Sequence, residues 1–143
     1  MDISSSQKII QMPLKRIGVE GGDVLHVLKS TDRQYNCFNE AYFSIIKSGS
    51  IKAWKKHQRM TLNIVVPIGN VQFIFYEDQK LILNTIIGED NYCLLTIRPG
   101  IWFGFKGLSE SDSYILNIAD IIHDGNEVER QPLNFLKFLP VQK

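Results

Sequence analysis

The sequence predicts an all-β fold, a sandwich or jelly roll. Roughly nine to eleven short runs rich in β-branched and aromatic residues recur at intervals of about 8 to 12 residues. Gly, Pro, Asn and Asp punctuate the gaps between them, and no stretch of about ten residues carries helical period. At 143 residues the chain has the size of one ordinary domain, and a single domain over 1–143 is expected.

Taken in order, residues 7–12 (QKIIQM) form a strand candidate ended by Pro13. Residues 17–23, with Gly18, Gly21 and Gly22, are a turn-rich connection, and 24–29 (VLHVLK) are short and apolar. After a polar stretch, residues 38–46 give an extended aromatic and β-branched run closed by Lys47-Ser48-Gly49-Ser50. The next segment, 51–77, organises the chain. Its runs 62–66 and 71–76 flank Pro67-Ile68-Gly69-Asn70 and read as a β-hairpin. Beside it, Lys47, Lys52, Lys55, Lys56 and Arg59 accompany Trp54 and His57 with no acid among them, so the hairpin presents a positive rim.

Turns at 77–80 and 88–91 introduce strand candidates 81–87 and 92–97. Arg98-Pro99-Gly100 breaks the chain before 101–105, residues 106–113 are polar loop, and 114–122 (YILNIADII) are the last long strand candidate. The apolar tail beyond Pro132 is expected to dock as a final strand or a short helical turn. Runs such as Ile64-Val65-Val66 and Phe73-Ile74-Phe75 are apolar on both parities, which calls for cover on both faces. A second sheet and a subunit interface would supply it, so a homodimer is expected.

Hydrophobic content of 44% and charged content of 22% are those of a globular chain. A net charge of +1 argues against nucleic-acid or membrane binding, which usually needs a large basic excess. The local cluster of cations instead suits a small anionic ligand. No run approaches the ~20 apolar residues of a membrane span, and residues 1–6 lack the pattern of a secretory leader, so a cytoplasmic location is expected. Cys37 and Cys93 have no paired spacing, and neither a disulfide nor a metal is assigned. His26 and His123 stand at no metal-ligand spacing.

Two stretches, residues 50–77 and the segment Arg98-Pro99-Gly100-Ile101-Trp102-Phe103-Gly104-Phe105 with Leu108-Ser109, resemble the cupin-type dTDP-4-dehydrorhamnose 3,5-epimerases and the related sugar-nucleotide ketoisomerases. The similarity spans about residues 22–134. It implies a cupin-type jelly roll that works without cofactor on a nucleotide sugar. Members use a His base to take the proton beside a keto group and a Tyr acid on the opposite side. By this resemblance Lys52 falls on a phosphate-binding Arg. Lys55 falls on the catalytic His, or His57 does after a shift of one or two residues. Phe103 replaces a second His, and Ile121 stands where the acidic Tyr is expected.

The resemblance therefore implies His57 as base, Lys55 as its assistant or the stabiliser of the enolate, and Lys52 and Arg59 on a diphosphate. Trp54 or Tyr76 would stack on the nucleotide base. In an unbroken strand Lys55, His57 and Arg59 share one face while Lys52, Trp54 and Lys56 share the other. Tyr42 is either a replacement acid or a core or interface residue. Asp120 either orients His57 or sits at a sheet edge. Two functions are carried: an epimerase or isomerase acting on a dTDP-4-keto-6-deoxyhexose, and a non-catalytic cupin that binds a sugar nucleotide or a partner protein.

Overall fold

In the computed structural model, which describes residues 8–141, two five-stranded antiparallel sheets face each other. Residues 1–7, which include the segment read for a leader and the start of the first strand candidate, lie outside the described residues, as do 142–143. The strands are β1 (Ile9–Pro13), β2 (Arg16–Ile17), β3 (Val24–Leu25), β4 (Glu40–Ile46), β5 (Ile51–His57), β6 (Leu62–Ile68), β7 (Asn70–Glu77), β8 (Lys80–Gly88), β9 (Cys93–Ile97), β10 (Trp102–Gly107), β11 (Ser113–Ala119) and β12 (Val128–Arg130). One sheet runs β1-β9-β6-β11-β4 and the other β12-β5-β10-β7-β8, with β2 and β3 forming a separate small pair. The expected all-β jelly roll is therefore what the chain forms. No helix among the described residues is long and apolar enough to cross a membrane.

Inward side chains of both sheets make the main core. Ile64, Val66, Phe73, Phe75, Leu95, Phe103 and Ile115 are all buried there. At about 25 cal/mol per Å² of apolar area, each such side chain contributes about 1.5–3 kcal/mol.

The run 62–77 is not a hairpin. Strand β6 lies in the first sheet between β9 and β11, and β7 lies in the second between β10 and β8. Pro67 cannot donate to a ladder, and Gly69 takes a positive φ of 87°. A Cβ on Gly69 would stand 2.1 Å from Ser113 Oγ. The segment Pro67 to Asn70 is thus a corner where the chain changes sheets, and the true hairpin is β7–β8, paired from Asn70↔Gly88 to Glu77↔Lys80.

The apolar run of β7 does need cover on both faces, but for this strand the chain itself supplies it. Phe73 and Phe75 enter the main core, while Ile74 and Tyr76 join Trp54 and Trp102 in a second cluster covered by Leu136, Phe138 and Leu139. The tail docks as a short 3₁₀ turn, Leu133–Phe135, followed by irregular chain.

A bulge in β5 positions the site. Phe103 pairs with Lys55 and Phe105 with Lys52, so β5 spends one extra residue opposite Gly104 and its alternation resets. Lys52 and Lys55 consequently line the same inter-sheet cavity, whereas Trp54 packs on the outer side of the sheet. An unbroken alternation would have separated the two lysines. Gly104 makes the bulge possible, because a Cβ there would lie 2.5 Å from Ala53 Cβ and 3.2 Å from the Trp54 ring. Gly104→Ala is expected to destabilise the fold by about 1–3 kcal/mol through overpacking. Urea denaturation checks this, and an unchanged midpoint would contradict the tight approach.

Candidate active site

Three strands converge at the open edge of the sandwich: β4, the edge of one sheet, and β12 with β5 at the edge of the other. Between them lie two adjoining cavities. The first, of ≈ 370 Å³, is lined by Glu40, Tyr42, Lys55, His57, His123, Val128 and Arg130. The second, of ≈ 480 Å³, is lined by Ser44, Lys52, Lys55, Phe103, Phe105 and Arg130 among others. Lys55 and Arg130 belong to both, so two cations stand at the junction.

His57 ends β5 and is 6% exposed. Its Nδ1 is hydrogen-bonded to Glu127 Oε1, and Nε2 is buried with no partner in the protein. Glu127 is fixed in turn, since its Oε2 accepts the backbone N–H groups of Gln58 at 3.1 Å, Arg59 at 3.0 Å and Met60 at 3.2 Å. The tight turn after β5 aims these three amides at one oxygen. Burial works against ionisation of Glu127, yet the His57 hydrogen bond and the Arg59 and Met60 amides hold its carboxyl below the usual range.

Burial pushes the His57 imidazole below its ordinary value, and Lys55 and Arg130 add to this while Glu127 opposes it. The ring is thus neutral at pH 7. A carboxylate at Nδ1 places the proton on that nitrogen, leaving the Nε2 lone pair free for a substrate. Beneath the imidazole, Phe103 stacks at 6.2 Å between centroids and 26°, and Lys55 Nζ lies 5.5 Å from the same ring's centre. Burial, aided by Arg130 and Lys52, pushes the Lys55 ammonium down. Across the cavity, burial raises the Tyr42 phenol, with Glu40 and Glu127 adding to it, so Tyr42 keeps its proton. The cavity therefore holds a neutral imidazole on one sheet and a protonated phenol on the other.

The other sequence-predicted residues are placed as follows. Lys52 lines the second cavity and donates to Ile45 O at 3.2 Å. Arg59 lines neither cavity and pairs with Asp124 at 2.9 Å on the surface, which removes it from the diphosphate grip expected of it. Trp54 is 2% exposed, and its Nε1 donates to Leu133 O and Leu136 O. Tyr76 donates its hydroxyl to Lys137 O at 2.6 Å. Both rings hold the tail: Tyr76 lines neither cavity, and Trp54, although it lines the second, is packed into the outer cluster and offers no open face for a base to stack on. Ile121 packs against the main core. Asp120 accepts from Thr61 N at 2.8 Å and Asn36 Nδ2 at 3.0 Å, so it does not orient His57.

Sequence reasoning missed Glu127, Arg130 and Glu40. A larger recess of ≈ 780 Å³ lies elsewhere, between Asn70, Glu89, Asp90, Ser109, Glu110 and Asp112. Its carboxylates disfavour an anionic ligand.

The pH dependence follows from these environments. Only a neutral His57 can accept a proton, and burial holds its imidazole below the ordinary value. Were His57 to act as a base, its acid limb would lie below the ordinary imidazole range, and a basic limb from loss of the Lys55 proton would lie below the ordinary lysine range. Because folded His57 binds its proton less readily than the unfolded chain does, it also withdraws stability as pH falls through 6.5. A pH profile of kcat/KM checks the sign, and an acid limb centred above 6.5 would contradict it.

No protein-family model matches the chain. Among curated proteins it is similar to the probable low-salt glycan biosynthesis epimerase Agl13 of Haloferax volcanii, 24% identical over 122 residues, covering 80% of this chain and 78% of the relative. Among solved structures it is similar to a dTDP sugar isomerase from Desulfovibrio desulfuricans G20. That match has 33% identity, covers 89% of this chain and 85% of the other, and has a TM-score of 0.83. The dTDP-4-dehydrorhamnose 3,5-epimerase of Sulfolobus tokodaii, at 16% identity, 96% and 84% coverage and a TM-score of 0.80, shares the fold.

Proposed function

Because the chain belongs to the cupin-type family of dTDP-sugar isomerases and 3,5-epimerases, we propose that it isomerises or epimerises a dTDP-4-keto-6-deoxyhexose by removing a proton beside the keto group. The observation that carries this reading is the His57–Glu127 pair, with Nε2 left unpartnered beside a cavity that also holds Tyr42.

A C–H beside a carbonyl is weakly acidic, so the base must be held close and the enolate oxygen stabilised. His57 Nε2 takes the proton, the carbon–hydrogen electron pair moves into the enolate, and the oxygen gains negative charge. Lys55 and Arg130 supply positive charge for that oxygen, and the Tyr42 hydroxyl supplies a proton from the other sheet. Reprotonation of the same carbon on its opposite face inverts it. A proton delivered instead to the former carbonyl carbon, with loss of the neighbouring hydroxyl proton, moves the keto group. Both outcomes share the first step.

The diphosphate is assigned to the second cavity, where Lys52, Lys55 and Arg130 line one space, and Phe103 and Phe105 offer apolar contact to the nucleoside. No cofactor is needed for these steps. A homodimer belongs to the same reading, supported by Phe43 and Ile45, exposed at 62% and 44% on the edge strand β4. A cytoplasmic site of glycan assembly fits a nucleotide-sugar substrate.

Proton NMR of the sugar after incubation tests the reaction. A new keto-sugar isomer is expected. An unchanged sugar that nonetheless binds would leave a sugar-nucleotide binding cupin.

A further inference from the structure

Glu40 opens β4 and lines the smaller cavity together with His57, Tyr42 and Arg130. Its Oε2 is enclosed and has no hydrogen-bond partner. Although Lys55, Arg130 and His123 line the same space, Glu40 is in no ion pair among the described residues. Every other carboxylate on the route to His57 is satisfied: Glu127 by His57 and three amides, and Asp120 by Thr61 and Asn36. An enclosed carboxylate oxygen without a donor is costly. A donor brought by the substrate would remove that cost.

On the reading of the site given above, we propose that Glu40 is a specificity-determining residue that accepts a hydrogen bond from the C2 hydroxyl of the bound hexose. The sugar of a dTDP-4-keto-6-deoxyhexose carries two free hydroxyls, on C2 and C3. The C3 oxygen sits beside the keto group, next to the oxygen on which negative charge develops, and gives up its own proton when the keto group moves, so a neighbouring carboxylate would oppose the reaction there. The C2 oxygen takes no part in that charge. An anionic acceptor against it binds the sugar without raising the barrier, and a substrate lacking it would leave Oε2 buried and unpaired.

The test compares wild type with Glu40→Gln and Glu40→Ala, using dTDP-4-keto-6-deoxyglucose, its 2-deoxy analogue and dTDP alone. Wild type is expected to prefer the 2-hydroxy sugar by ~10- to 100-fold in kcat/KM, the range of a hydrogen bond to a charged group. Glu40→Ala should bring that ratio close to one and leave the Kd of dTDP unchanged. The melting temperature of the ligand-free protein should hold or rise in both variants, because an unpaired buried carboxylate has been relieved. A 2-hydroxy preference unchanged in Glu40→Ala, or a fall in melting temperature in both variants, overturns the assignment and makes Glu40 structural. Absence of any turnover by wild type with dTDP bound would instead overturn the proposed function, and the hydroxyl role with it.

Discussion

His57→Gln is expected to lower kcat/KM by about 10²- to 10⁴-fold, the usual worth of a positioned general base, or ~3–5 kcal/mol of transition-state stabilisation. Glutamine keeps a donor for Glu127 Oε1, so the acceptor and the three amides around it stay paired and the fold survives. What disappears is the lone pair of Nε2, the one ring nitrogen that no protein group occupies. Binding of the nucleotide should persist, because Lys52, Lys55 and Arg130 are untouched in the second cavity. Steady-state kinetics with parallel calorimetry checks both halves. Retention of most activity in His57→Gln would assign the base elsewhere.

Glu127→Gln is expected to cost about 10³-fold or more in kcat, through the tautomer of His57. The amide must choose which end faces the three backbone N–H groups of Gln58, Arg59 and Met60. Its oxygen takes that place, since an NH₂ there would meet three donors. The NH₂ then faces His57 Nδ1 and donates to it, forcing the ring proton onto Nε2. The nitrogen that should accept a proton now carries one. Glu127→Ala leaves the amides and Nδ1 without partners as well, and should destabilise the fold by about 2–4 kcal/mol. The two variants separate the roles: a large kcat loss with near-normal stability in Glu127→Gln identifies a positioning residue, whereas equal losses of stability in both would identify a structural one.

Much of this was legible in the sequence, and the failures have physical reasons. Apolar, β-branched runs located β4 and β6 through β11 because strands buried on at least one face must carry them. The basic rim drew attention to His57 and Lys55, which the structure brings to one cavity. The corner at Pro67 to Asn70 was misread as a hairpin because turn chemistry is alike whether the chain returns within one sheet or crosses to the next. The lysine faces were misassigned because the bulge opposite Gly104 shows only when β5 and β10 are paired. Glu127 and Arg130 flank or occupy a three-residue strand, β12, too short to display a period. Their importance comes from pairing with β5, Val128↔His57 and Arg130↔Lys55, some seventy residues away in the chain. Trp54 and Tyr76 looked like stacking platforms until the tail closed over them.

Deuterium incorporation reports enolisation most directly. Proton NMR of dTDP-4-keto-6-deoxyglucose in deuterium oxide, with wild type beside His57→Gln, should show loss of a signal from a carbon next to the keto group in the first sample and its retention in the second. Full retention of those signals with wild type, at saturating protein with the ligand shown to be bound, would contradict proton abstraction by His57 and leave the cavity as a binding site.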